Sequence, residues 1–158
     1  MFASIAPNIE VLAETTNMDT VVLSTTEILS VSLDVVEDEI KNGNFEEAKQ
    51  LTKENSEFFS LQVLTLRESN SEITDEIHIL LLDMHNEIEA GNESLVLDNI
   101  ATIKNMLKQY EINSPDYGMA SAMILTIVDE QYQIANKDGD EYRYEVSEKL
   151  LDRVNVLF

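Results

Sequence analysis

Three short turns with similar sequences indicate how this chain folds. They are Lys41-Asn42-Gly43-Asn44, Glu89-Ala90-Gly91-Asn92 and Lys137-Asp138-Gly139-Asp140, and their glycines follow one another at intervals of 48 residues. A glycine directly after a helix commonly adopts the left-handed conformation that closes the helix C-terminus. The Asn or Asp that follows can cap the next helix at its amino end. Each turn therefore predicts the connection of a helical hairpin.

Apolar residues on both sides of these glycines recur with the period of an α-helix. The segment before Gly91 carries them at intervals of three and four residues, at Ile73, Ile77, Leu80, Met84 and Ile88. Such stripes predict amphipathic helices. The predicted helices cover about 19–42, 45–68, 72–90, 93–111, 115–137 and 141–158, and a short amphipathic helix near 7–16 precedes them.

The short connections predict that successive helices pack as antiparallel neighbours. The predicted fold class is all-α, with one domain over 1–158 built as an antiparallel bundle of three repeated hairpins at about 19–68, 72–111 and 115–158. The helix at 19–42 is apolar around most of its circumference, which is typical of a buried, central helix. The small and apolar residues of 119–128 predict a second central helix. Pro115 is expected in the first turn of the helix that Ser114 caps.

The composition excludes several classes of protein. The chain has 158 residues, with 31 Asp and Glu against 10 Lys and Arg, so its formal net charge is −21. This charge repels nucleic-acid phosphates and anionic lipid, and we expect neither partner. Because cysteine is absent, disulfides, thiol catalysis and cysteine-based zinc sites are excluded. No apolar run approaches the roughly 20 residues of a membrane-spanning helix, so no insertion into a membrane is expected.

The residues of common catalytic sites are scarce in this sequence. It has two histidines, His78 and His85, and its four glycines are not clustered as in a phosphate-binding loop. No serine lies on the glycine-flanked turn of a hydrolase nucleophile. The sequence therefore predicts a protein that is not an enzyme.

Two pairs of side chains are candidate metal ligands. Asp34 and Asp38 are four residues apart on one helix, so their carboxylates lie side by side and can share a hard cation. His85 and Glu89 have the same spacing and can hold a cation at the surface. The alternative for both pairs is a solvated polar helix face. No cofactor is expected beyond a weakly held divalent or ferric cation.

Tyrosines are concentrated in the last third of the chain. Tyr142 and Tyr144 cannot both face inward from one helix, because two residues correspond to about 200° of rotation. A ligand groove between hairpins, near Tyr117 and Tyr142, is one interpretation. Packing of these rings in the core and at its rim is the alternative.

Two stretches resemble a known family of transport proteins. IKNGNFEEAK at 40–49 joins two helices through a Gly-Asn-aromatic-acidic-acidic-Ala turn, and ITDEIHILLLDMHNEIEAG at 73–91 leads into another hairpin. Over about 27–110 this pattern resembles the soluble helical region of FTR1-type iron permeases. The resemblance implies a location outside the membrane and a link to iron uptake. It carries no site residue over, because Arg67-Glu68-Ser69-Asn70-Ser71 lacks the second glutamate of the permeases' Arg-Glu-x-x-Glu motif.

The acidic composition suits a protein exposed to saline surroundings, and Asn92-Glu93-Ser94 is a glycosylation sequon. We therefore expect an extracytoplasmic location, and a cytoplasmic one remains the alternative. The first functional hypothesis is a non-enzymatic module that binds a protein partner or membrane-protein complex, or weakly concentrates cations through its charge. The second is a helical sensor or scaffold with a ligand groove between hairpins. The third, a carboxylate-bridged metalloenzyme, needs acids pointing inward, whereas the predicted inward stripes are apolar.

Overall fold

The computed structural model describes residues 17–157 of the chain. This part contains five α-helices and no strand. The helices are α1 (Met18–Lys41), α2 (Phe45–Glu89), α3 (Glu93–Leu107), α4 (Tyr117–Asp138) and α5 (Glu141–Leu157). The all-α class is thus confirmed. The helix predicted near 7–16 lies outside the described residues.

The three repeated glycines end α1, α2 and α4 as predicted. Gly43, Gly91 and Gly139 have φ angles of 79°, 77° and 74°, in the left-handed region. After α1, the backbone N–H of Asn44 donates to the carbonyl of Glu39 at 2.8 Å, while the N–H of Gly43 donates to Ile40 at 3.1 Å. This is a Schellman motif, and it satisfies carbonyls that the end of the helix leaves without partners.

Two of the three predicted caps that follow the glycines do not form through their side chains. Asn44 and Asn92 stand at the N-cap positions of α2 and α3, but their side chains accept no hydrogen bond from the helix that follows. Their backbones close the preceding helix instead, which leaves φ and ψ outside the extended range of a side-chain cap. Side-chain caps are present at Asn17 for α1 and at Asp116, rather than Ser114, for α4.

The long helix α2 folds back on itself at Asn70. This residue has φ −158° and ψ 100°, and its side chain accepts a hydrogen bond from the backbone N–H of Ile73 at 3.0 Å, which caps the second segment. Contacts across the break join Ser60 to His78 and Lys49 to Glu89, so the two segments run antiparallel. The predicted separation at 69–71 corresponds to this single non-helical residue.

Helix α1 is central, as its sequence predicts. It packs against all four other helices, and its Leu29, Leu33, Val35 and Val36 have no exposed surface. The prediction of a second central helix at 119–128 is wrong. There α4 packs mainly against α1 and α5, and Leu125 on its other face is 41% exposed. Small residues such as Ala122 cost little when they face water, so a uniformly apolar sequence did not require burial on every side.

A buried ion pair joins α2 to α5 beneath this packing. The guanidinium of Arg143 donates to both carboxylate oxygens of Glu54, at 2.9 Å each, and to the side-chain oxygen of Gln131 at 3.0 Å. The side chains of Arg143 and Glu54 are 5% and 0% exposed. A two-pronged geometry of this kind offsets part of the cost of removing both charges from water.

Candidate functional site

A groove of about 410 Å³ lies between α1, the end of α3 and α5. One face of α1 supplies its first wall, because residues three and four apart share a helix face. These residues are Leu23, Thr26, Glu27, Ser30, Val31 and Asp34. The volume falls within the roughly 300–1,000 Å³ of small-molecule sites in proteins.

The opposite wall comes from the end of α3 and the segment after it, and Arg153 of α5 completes it. The α3 side contributes Lys104, Leu107, Lys108, Tyr110 and Ile112. The Tyr110 hydroxyl forms a hydrogen bond of 2.7 Å with the Thr74 hydroxyl on α2. Burial raises the pKa of Tyr110, so this phenol stays neutral. Five apolar or aromatic residues and seven polar or charged ones line the groove, so the site is amphipathic.

The connection between α3 and α4 is held in place by the first turn of α1. The carboxylate of Asp19 accepts hydrogen bonds from the backbone N–H groups of Asn113 and Ser114, at 3.2 and 2.9 Å. The hydroxyl of Thr20 accepts one from the N–H of Asp116 at 2.8 Å. These bonds fix the segment that carries Tyr110 and Ile112, so that end of the groove is formed in advance of any ligand.

Basic side chains gather at this groove, although the chain as a whole is strongly acidic. Lys104, Lys108 and Arg153 are three of its ten lysines and arginines. Arg153 donates to both carboxylate oxygens of Glu27, at 2.7 and 3.1 Å, and these hydrogen bonds raise its pKa. Lys104 pairs with Asp34. Among the described residues, Lys108 forms no ion pair, so the groove retains one positive charge that is not neutralised.

Asp34 and Asp38, the first predicted pair of metal ligands, have separate partners. Asp34 binds Lys104 on α3, whereas Asp38 lies 3.3 Å from the ammonium of Lys149 on α5. Within residues 17–157, no group of three or more His, Asp or Glu side chains is placed to hold a metal ion. The two carboxylates therefore stabilise contacts of α1 with different helices.

Asp38 also belongs to a cluster that the sequence did not indicate. It shares a hydrogen bond with Glu145, and the Lys149 ammonium lies 3.3 Å from each of the two carboxyl groups. The hydrogen bond lowers the pKa of Asp38. Burial raises the pKa of Glu145, and the bond to Asp38 acts in the same direction. The pair therefore holds a proton on Glu145 at a pH where an isolated glutamate has lost it.

The replacement Glu145→Gln should change how stability depends on pH. A raised pKa contributes stability that is full below the ordinary value of 4.5 and is lost as pH rises through the raised value. Asp38 acts oppositely, since its stabilisation is lost as pH falls. The amide that replaces the Glu145 carboxyl group can still donate a hydrogen bond to Asp38, so the variant loses mainly the Glu145 contribution. Its melting temperature should therefore rise relative to that of the wild type as pH increases. Melts from about pH 4 to 7, with the exposed Glu148→Gln as control, measure the difference. A constant difference would contradict the assignment.

His85 and Glu89, the second predicted pair, also point to different neighbours. Glu89 lies 3.8 Å from the ammonium of Lys49. His85 lines a shallow depression between the two segments of α2, with Lys53 and Glu57 beside it. Among the described residues, no third side chain is placed to bind a metal ion together with His85 and Glu89.

Tyr117 and Tyr142, the predicted groove residues, are not brought together. They begin α4 and α5, which are antiparallel, so they lie at opposite ends of this helix pair, roughly 30 Å apart at 1.5 Å per residue. Tyr117 is 50% exposed, whereas Tyr142 is 7% exposed and its ring lies 5.0 Å from the Arg143 guanidinium carbon. Burial raises the pKa of Tyr142 to about 12. Neither tyrosine lines the groove between α1, α3 and α5.

Sequence reasoning missed the residues of the observed groove. The available signal was the basic pair Lys104 and Lys108, four residues apart in a chain with only ten basic residues. No local pattern could add Arg153, which lies 126 positions from its partner Glu27.

None of the helices in the described part of the chain combines the length and apolar composition needed to cross a bilayer. Comparison of the whole chain with protein families, curated proteins and solved structures finds no match in any of the three.

Proposed function

We propose that this protein is a helical binding module that takes a small organic ligand in the groove between α1, α3 and α5. The observation that carries the proposal is the groove itself, about 410 Å³ with walls from three helices. Its α3 side is fixed through Asp19 and Thr20. A site that is formed in advance loses less conformational entropy when a ligand binds.

Two observations favour this function over the concentration of cations. The carboxylates of Asp34 and Asp38, the first predicted pair of metal ligands, are each paired with a lysine. A cation at either position would have to displace a fixed ammonium group. Weak binding of cations then depends on the net charge alone. The extracytoplasmic location and the link to iron uptake stay predictions from the sequence.

The proposal is for binding without catalysis. Both carboxylates that line the groove are held in ion pairs, by Arg153 and by Lys104. Neither histidine lines it. We also interpret the module as three hairpins, supported by the left-handed glycines 48 residues apart and by the contacts across Asn70.

Filling the groove tests this function. The probe is N-phenyl-1-naphthylamine, a neutral dye whose fluorescence rises in apolar sites. We expect saturable binding of one dye molecule to the wild type. Ser30→Phe places a ring against the α1 wall, and it should weaken binding by about tenfold or more, because the ring occupies the space of the dye.

The matched control is Thr126→Phe, which adds a ring at a half-buried hydroxyl position on α4, away from the groove. Circular dichroism and thermal melts confirm that both variants fold. Equal effects of the two substitutions, an unaffected Ser30→Phe variant, or a wild type without saturable binding would each reject the groove as a ligand site.

A further inference from the structure

We infer that the ligand of this groove is an amphipathic anion, with its carboxylate or similar group beside Lys108 and its apolar body against Leu107 and Val31. This inference deepens the proposed function and rests on it. The inference depends on the charged side chains of the groove, of which four form ion pairs and one, Lys108, forms none with a described residue.

The two carboxylates of the groove are not available to a ligand cation. Glu27 accepts two hydrogen bonds from Arg153, and its side chain is only 18% exposed. Asp34 is engaged by Lys104. A cationic ligand would have to displace the side chain of Lys104 or Arg153 from its carboxylate, and the gain in electrostatic energy would be small.

Lys108 carries the remaining charge of the groove. It is exposed, lines the groove and forms no ion pair with any described residue. It lies four residues after Lys104 at the end of α3, so the two ammonium groups project from one face. The carboxyl end of α3 carries about half a negative elementary charge, which reduces the positive surplus without reversing it.

The large negative charge of the chain does not override this local surplus. At about 0.15 M ionic strength, exposed charges more than roughly 8 Å apart are largely screened. An anion in the groove is therefore affected mainly by Lys104, Lys108, Arg153 and their partners. The apolar part of the lining supplies affinity that an inorganic anion cannot use. An organic anion with an apolar body matches both features.

Three compounds with one apolar body separate the head groups. They are 4-phenylbutyrate, 4-phenylbutanol and 4-phenylbutylamine, titrated at pH 7 and about 0.15 M salt by ligand-observed NMR or calorimetry. We expect the carboxylate to bind about fivefold or more tighter than the amine, with the alcohol between them. Lys108→Gln should lower the affinity for the carboxylate to about that for the alcohol and leave the alcohol unchanged.

The matched control is Lys137→Gln, the same change of charge at an exposed position near the end of α4. Equal losses in the two variants would assign the effect to net charge and overturn the inference. Equal affinities for the three compounds would overturn it as well, while leaving the groove as a ligand site. If none of the three binds and the neutral dye does not bind either, the proposed function fails together with the inference.

Discussion

Replacing Arg143 with methionine should lower the free energy of unfolding by about 3–5 kcal/mol, the usual loss when one partner of a buried ion pair is removed. The side chains of Arg143 and Glu54 are 5% and 0% exposed, and two hydrogen bonds of 2.9 Å join them. Without its guanidinium partner, the Glu54 carboxylate remains in a site from which water is excluded. Gln131 also loses its donor.

Urea unfolding followed by circular dichroism measures this loss at pH 7. The control is Arg67→Met, which removes an exposed ion pair with Asp75 on α2 and should cost less than about 1 kcal/mol. The double variant Glu54→Leu/Arg143→Met should recover much of the stability, because both buried charges of this ion pair are then removed. A loss for Arg143→Met as small as that for Arg67→Met would show that the pair is not buried as described.

A second large effect is expected from Leu33→Ala in α1. The Leu33 side chain has no exposed surface and lies in the helix that packs against all four others, so its truncation leaves a cavity that the surroundings cannot readily fill. Such truncations cost about 2–5 kcal/mol. The same unfolding experiment measures the difference in free energy from the wild type.

The control for Leu33→Ala is the same substitution at a leucine in water. Leu64 on α2 is 82% exposed, and Leu64→Ala should change stability by no more than about 0.5 kcal/mol. Similar losses at the two positions would contradict the central place of α1 in the core.

At the candidate site, the sequence predicted which residues share a helix face but not which residues on other helices they contact. The helix spacing placed Asp34 and Asp38 on one face of α1, and the structure agrees with that local geometry. It did not predict that Lys104 and Lys149 would engage them, 70 and 111 positions away along the chain. Tyr117 and Tyr142 lie on neighbouring helices but are far apart. Each stands at the start of its helix, and the two helices are antiparallel.

Features that depend on interactions between neighbouring residues could be predicted from the sequence. The left-handed preference of Gly43, Gly91 and Gly139 set the ends of three helices, and the apolar circumference of α1 set its central position. The pairing of charges and the position of the groove depend instead on how the helices pack. Arg153 reaches Glu27 across 126 positions, whereas the packing of residues 17–157 brings no carboxylate into an ion pair with Lys108. Backbone conformation responds to interactions within a few residues, whereas charge pairing and groove shape follow from how whole helices pack.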